Sequence, residues 1–134
     1  MARSTLSNPT STAGAEADQA ALDALDALYA FRDGDWVGGR DEVRKILARH
    51  PELVPVLMEA SERLPEFVPI TRPVVLEWVP WEENDDADGT LFAVIQTDLP
   101  PEEVRPLRER LSREWLADAA RRVDLRFNVG VDYF

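Results

Sequence analysis

From Val123 to Tyr133 every second residue is apolar. Val123, Leu125, Phe127, Val129, Val131 and Tyr133 fall on one side, and Asp124, Arg126, Asn128, Gly130 and Asp132 on the other. A period of two sends successive side chains to opposite faces, so the run predicts a strand with one buried face and one wet face. A lone strand cannot bury its apolar side; it needs neighbouring strands and a covering layer. Two other segments offer the neighbours. Val74, Leu76 and Trp78 alternate with Val75, Glu77 and Val79, whereas Leu91 to Thr97 is apolar on both sides, as expected of a central strand.

The covering layer comes from helical spacing earlier in the chain. Residues 1–15 are rich in Ser, Thr, Ala and Pro without any apolar period, and we expect a disordered tail there. Leu22, Leu25, Leu28 and Tyr29 predict a first helix from Glu16 to about Phe31, which Asp33-Gly34-Asp35 and Gly38-Gly39 break. A second helix carries Val43, Ile46 and Leu47. A third opens at Pro51, buries Leu53, Val54, Leu57, Met58 and Leu64, and is closed by Pro65 and Pro69. Between the second and third strands, a fourth helix begins at Asp98-Leu99-Pro100-Pro101-Glu102-Glu103 and buries Val104, Leu107, Leu111 and Trp115. Pro106 is expected to kink it or delay its regular part.

The chain of 134 residues suits one core and is short for two ordinary domains. We therefore expect a single α+β domain over 16–134, with a helical half over 16–69 and a ββαβ half over 70–134. A right-handed crossover through the fourth helix makes the last strand parallel to the second. Setting that strand beside the first gives a three-stranded, mostly antiparallel sheet in the order 2-1-3, with helices packed on one face.

Several functions are disfavoured by residue content. The chain has no cysteine and one histidine, so thiolate chemistry, a disulfide framework and a His-rich metal site are not expected. No G-x-S-x-G, Walker loop or G-x-G-x-x-G is present, and the expectation is no catalytic residue, no cofactor and no metal. His50 is read as a helix-end residue facing free carbonyls. The loop Asn84, Asp86, Asp88, Gly89 matches the start of a calcium loop, but its twelfth position is Ile95 within a strand, and a solvated hairpin loop is the better reading. No apolar run approaches a membrane span and no signal-peptide core opens the chain, which points to a cytoplasmic protein.

Charge is the most distinctive feature. The formal net charge is -11, with 15 basic against 26 acidic residues, so direct nucleic-acid binding is not expected. From Glu77 to Glu103 there are nine acids and no base; from Arg105 to Arg126 there are seven arginines against four acids. This layout suits docking of a charged partner. The candidate interaction residues are Trp36, Trp81, Glu82, Glu83, Asp85, Asp86 and Asp88, with Arg108, Arg113 and Arg122 on the outer face of the fourth helix. A second set, Arg72, Trp78, Gln96 and Arg126, is placed to line a cleft between the helical half and the sheet.

The segments Glu52 to Ala60, Val75-Leu76-Glu77, Leu91 to Thr97 with Pro101-Glu102-Glu103, and Arg113-Glu114-Trp115-Leu116 resemble a family of small bacterial α+β proteins. Its pattern is a helix opening with His-Pro (here His50-Pro51), a β-hairpin, a helix with "PEEA" near its start and an acidic-Trp pair near its end, then a final strand. The resemblance covers about residues 50–130, departs at Val104 and Pro106, and implies a fold without implying an activity.

The leading expectation is an acidic protein-interaction module of regulatory or antitoxin-like type, whose partner is a basic protein. The alternative is a small ligand-binding domain or enzyme using the cleft. DNA mimicry by the acidic face is a third reading. The final strand, as an edge able to pair with its copy, makes a homodimer the expected oligomer.

Overall fold

Steps of three and four residues bring the buried side chains of each helix onto one stripe. The computed structural model describes residues 10–31, 39–81 and 88–134. It contains α1 (Thr10–Leu28), β1 (Ala30–Phe31), α2 (Arg40–Arg49), α3 (Leu53–Phe67), β2 (Val75–Pro80) and β3 (Gly89–Thr97). These are followed by α4 (Pro101–Leu111), a π-helical turn (Ser112–Leu116), α5 (Ala117–Arg122) and β4 (Phe127–Tyr133). The fold is α+β. In α2, Val43, Ile46 and Leu47 are buried, with Asp41 and Glu42 in the first turn and Arg49 in the last, as the helix dipole favours.

Several boundaries differ from expectation for physical reasons. α1 begins at Thr10 rather than Glu16, so 10–15 is helical. It ends at Leu28, short of Phe31, because Tyr29 turns into the core and donates its hydroxyl to the Leu57 carbonyl. The Ala30 N–H then pairs with the Val74 carbonyl at 2.9 Å, starting β1. Pro65 does not close α3 but sits in its last turn; burial of Phe67 carries the helix past it, and the Val68 N–H closes onto Leu64 at 3.0 Å. Val56 and Ala60 take core positions in α3, while Val54 is half-buried and Met58 exposed.

The sheet corrects the expected topology. It has four strands in the order β1-β2-β3-β4, not three in the order 2-1-3. β2 and β3 form an antiparallel hairpin, while β1–β2 and β3–β4 are parallel, so parallel pairings outnumber the antiparallel one. The last strand lies parallel to β3, as the crossover required, but beside it rather than beside β2. The reason lies in β3: an order of 2-1-3 would leave it at an edge, whereas its apolar character on both faces and its burial demand a neighbour on each side.

Register assigns the two faces. Leu76 opposite Ala93 and Trp78 opposite Leu91 continue into Phe127 and Val129, and all six side chains belong to the core cluster shared with helical Leu25, Ile46, Leu57, Leu64, Leu111 and Trp115. The other face, with Val75, Glu77 and Val79 against Val94, Phe92 and Thr90, contributes none of that cluster.

Two details of the crossover were hidden from simple periodicity. Leu107, Leu111, Trp115, Ala119 and Val123 are spaced by fours. Each four-residue step overshoots an α-helical turn by about 40°, which accumulates to about 160° over the run. The wider turn at Ser112–Leu116 takes up that drift and keeps Trp115 and Ala119 inward. The irregularity therefore falls there, and Pro106 is carried within α4.

The second detail is where β4 starts. Val123 and Leu125 are not strand residues despite the alternation. The Leu125 N–H bonds the Ala120 carbonyl at 2.8 Å and the Asp124 N–H bonds Arg121 at 3.3 Å, the paired reach-back of a Schellman cap. Asp124 and Leu125 both adopt positive φ, 52° and 66°, and the strand begins two residues later at Phe127.

Candidate interaction surface

The most exposed apolar residues near the hairpin gather at one end of the sheet face that lies outside the core cluster. Val79 is paired with Thr90 across the hairpin and is 41% exposed. The Trp81 indole Nε1 donates to the Thr90 hydroxyl at 2.9 Å, and that hydroxyl reaches the Leu125 carbonyl at 3.4 Å. The Trp81 indole and the Leu125 backbone are thus tied to one hydroxyl, and the two residues are 54% and 62% exposed. Large apolar groups left this open beside one another are the usual mark of a contact surface.

Backbone conformation adds to that picture. A leucine at positive φ costs about 1–2 kcal/mol, because its Cβ crowds the carbonyl oxygen. Leu125 carries this cost without the compensation of burial. On the neighbouring hairpin, Gly89 is obligatory for steric reasons. A Cβ there would lie 2.5 Å from the Val79 carbonyl oxygen, 2.7 Å from the Pro80 Cα and 2.7 Å from the Trp78 ring. Its role is close strand approach, not the turn of a calcium loop.

A charged cluster borders this end on the core side. His50 closes α2 through its N–H to the Ile46 carbonyl, and its ring stacks on Trp78 with centroids 6.5 Å apart. Its nitrogens face carboxylates rather than free carbonyls: Nδ1 lies 3.4 Å from Glu52 and Nε2 lies 3.8 Å from Asp88. Asp88 also accepts from Arg126 at 3.3 Å, and Arg126 reaches Asp124 at 3.5 Å. The Trp81 N–H to Asp88 carbonyl bond, 2.8 Å, closes the hairpin beside them. Among the described residues no group of three or more His, Cys, Asp or Glu is arranged to hold a metal ion.

A comparable knot ties the helices together. Glu59 accepts from Trp115 Nε1 and from Arg122 at 2.9 and 3.3 Å, while Arg122 also meets Asp118 at 3.3 Å. These bonds, that of Arg122 foremost and then that of Trp115, hold the Glu59 carboxyl below the usual glutamate range, and the same contact raises Arg122. Burial pushes the Tyr29 phenol upward. In the first knot the Arg126 Nε is buried without a hydrogen-bond partner.

The expected site residues scatter. Trp36, Glu82, Glu83, Asp85 and Asp86 lie outside the described residues; Trp81 and Asp88 stand at the hairpin end. Arg108 donates to the Val129 carbonyl at 3.2 Å, Arg122 is spent on Glu59, and Arg113 is exposed. The cleft set does not converge. Trp78 is buried in the core near Arg126, while Gln96 binds the Pro73 carbonyl and Arg72 pairs with Asp98 toward the opposite end. Gln96 and Leu91, which faces Trp78, are five residues apart along β3, or about 17 Å of strand.

Sequence reasoning missed Val79, Leu125 and Thr90, since alternation assigned Leu125 to the core. The available signal was the basic helix end Arg121-Arg122 followed by Asp124, a residue type that tolerates the left-handed cap. Comparison of the chain with protein-family models, with curated proteins and with solved structures gave no match. No described helix is long and apolar enough to cross a membrane.

Proposed function

We propose that this chain is a protein-interaction module of regulatory or antitoxin-like type that receives a basic protein on the Val79–Trp81–Leu125 end of its sheet. The observation that carries the reading is the exposed apolar trio assembled at Thr90, with a leucine held in a costly backbone conformation to complete it. Strain kept at an exposed position is a pointer to function rather than to stability. The sign of the partner follows from charge: the segment from Glu77 to Glu103 holds nine acids and no base, within a chain of net charge -11. Apolar contact supplies affinity, and the acidic charge of the chain speeds encounter and selects a basic partner.

The test is affinity purification of the tagged chain from its own host, beside a Trp81→Ser/Leu125→Ser double variant. The wild type is expected to retain one stoichiometric basic protein that salt releases. The double variant should lose it while keeping its melting temperature within a few degrees. Equal recovery by both forms, or no stoichiometric basic protein with either, overturns the proposal.

A further inference from the structure

β4 is one of the two outer strands of the sheet, and its free edge is guarded unevenly. The Leu91 N–H bonds the Arg126 carbonyl at 2.7 Å, and the Phe134 N–H bonds the Thr97 carbonyl at 2.9 Å. In a parallel ladder these two bonds commit the even-numbered residues of β4 to β3 and turn the backbone groups of Phe127, Val129, Val131 and Tyr133 outward. Val129 is blocked on both counts: its N–H lies 2.8 Å from Asn128 Oδ1, and its carbonyl accepts from Arg108. Among the described residues no side chain is hydrogen-bonded to the outward backbone groups of Val131 and Tyr133, in contrast to those of Val129.

Beside that open stretch lies a groove of about 340 Å³ lined by Pro101, Arg105, Arg108, Glu109, Ser112 and Tyr133. Its lining holds two guanidinium groups and one carboxylate. Arg105 forms no ion pair among the described residues, and Arg108 is held only by a neutral carbonyl. A groove with two guanidinium groups to one carboxylate, meeting the edge strand at Tyr133, is unusual in a chain of net charge -11.

We infer that this edge binds an extended acidic segment of a partner protein by strand addition. The segment pairs its main chain with Val131 and Tyr133, and its side chains alternate. Those on the α4 side are carboxylates that meet Arg105 and Arg108; those on the other side stand beside Asn128 and Asp132. A second copy of this chain is the poorer occupant, since antiparallel pairing of two β4 edges centred on Val131 places Val129 of each copy, with its guards, in the ladder. The surface is separate from the Trp81 end and does not depend on it.

The experiment titrates the full chain with three synthetic probes: acetyl-TETETET-amide, the same peptide with alternate main-chain nitrogens methylated, and acetyl-TKTKTKT-amide. The first is expected to bind saturably and to slow hydrogen exchange at the Val131 and Tyr133 amides, while Gly130 and Asp132 are slow throughout. Main-chain methylation and the lysine peptide should each abolish binding, and Arg105→Glu should weaken it about tenfold. Equal binding of the methylated peptide reduces the contact to charge alone and overturns the proposal, as does the lack of saturable binding. Protection of the same two amides without peptide, growing with protein concentration, assigns the edge to a second copy instead and also overturns it.

Discussion

The two faces of the sheet are written by the same three long strands, yet they follow different rules. On one, Leu76, Trp78, Leu91, Ala93, Phe127 and Val129 join the helices in an apolar core. On the other, Val75 and Val94 are buried locally among Glu77, Gln96, Asn128 and Asp132, and the hairpin end finishes in open apolar groups. The first face is built for stability and tolerates no vacancy. The second is buried only at Val75 and Val94, and its open end is free to be shaped for contact. Substitutions on the two faces should therefore separate cleanly into losses of stability and losses of binding.

The largest effect belongs to Trp115, where the helical layer meets the sheet. Its ring is buried, packs edge-on against Phe127 at 6.0 Å and donates to Glu59. Trp115→Ala should cost about 3–5 kcal/mol, as for other large buried aromatics. Denaturant unfolding checks it. A loss under 1 kcal/mol would show that the π-helical turn can re-register and refill the space, and the contrast between the faces would weaken.

Gly89→Ala comes next, at the seam between them. The added methyl meets backbone atoms of Val79 and Pro80 and the ring of Trp78, whose burial in the core keeps it from swinging away. The expected loss is about 1–3 kcal/mol, with hairpin amides exchanging faster than those of α3. If exchange rises evenly over the whole chain instead, the hairpin is no local unit and unfolds with the core.

How far these features were legible in the sequence depends on their range. Helix stripes such as Val43, Ile46 and Leu47, and strand faces such as Leu76 and Trp78, are local periodicities, and the structure keeps them. Strand order is not local. It was still recoverable from Leu91 to Thr97, because apolar groups on both sides require flanking strands; the alternation of the last strand says only that one of its faces is wet. β1, with two residues, is too short to show any period. The open apolar trio was illegible because it joins Val79, Trp81 and Leu125 through Thr90, a contact made only once the hairpin and the helix cap are both formed.

Leu125 sharpens the comparison in the opposite direction. Leu125→Gly relieves left-handed strain of about 1–2 kcal/mol and adds unfolded-state freedom worth about 0.5–1 kcal/mol, so a small net gain in stability is expected. The melting temperature should rise slightly while partner recovery falls. A variant that loses stability would show that the exposed leucine packs more than its surface suggests, and the open face would share the work of the closed one.

The smallest effect is electrostatic and tests the helical side. Arg122 and Trp115 hold the Glu59 carboxyl below its ordinary range, so as pH falls the unfolded chain takes up this proton before the folded one. The pair's stabilisation is complete above the ordinary glutamate range and is lost as pH drops through the lowered value. Both side chains are partly open to solvent, which limits the contribution to less than about 1 kcal/mol. Glu59→Gln keeps an acceptor for the indole and removes the charge. Its stability should sit slightly below wild type at pH 7 and converge with it in acid. Parallel curves across the whole range would place the value of Glu59 in its hydrogen bond to Trp115 alone, and would make the aromatic, rather than the arginine, the tie between α3 and the helices that lead into β4.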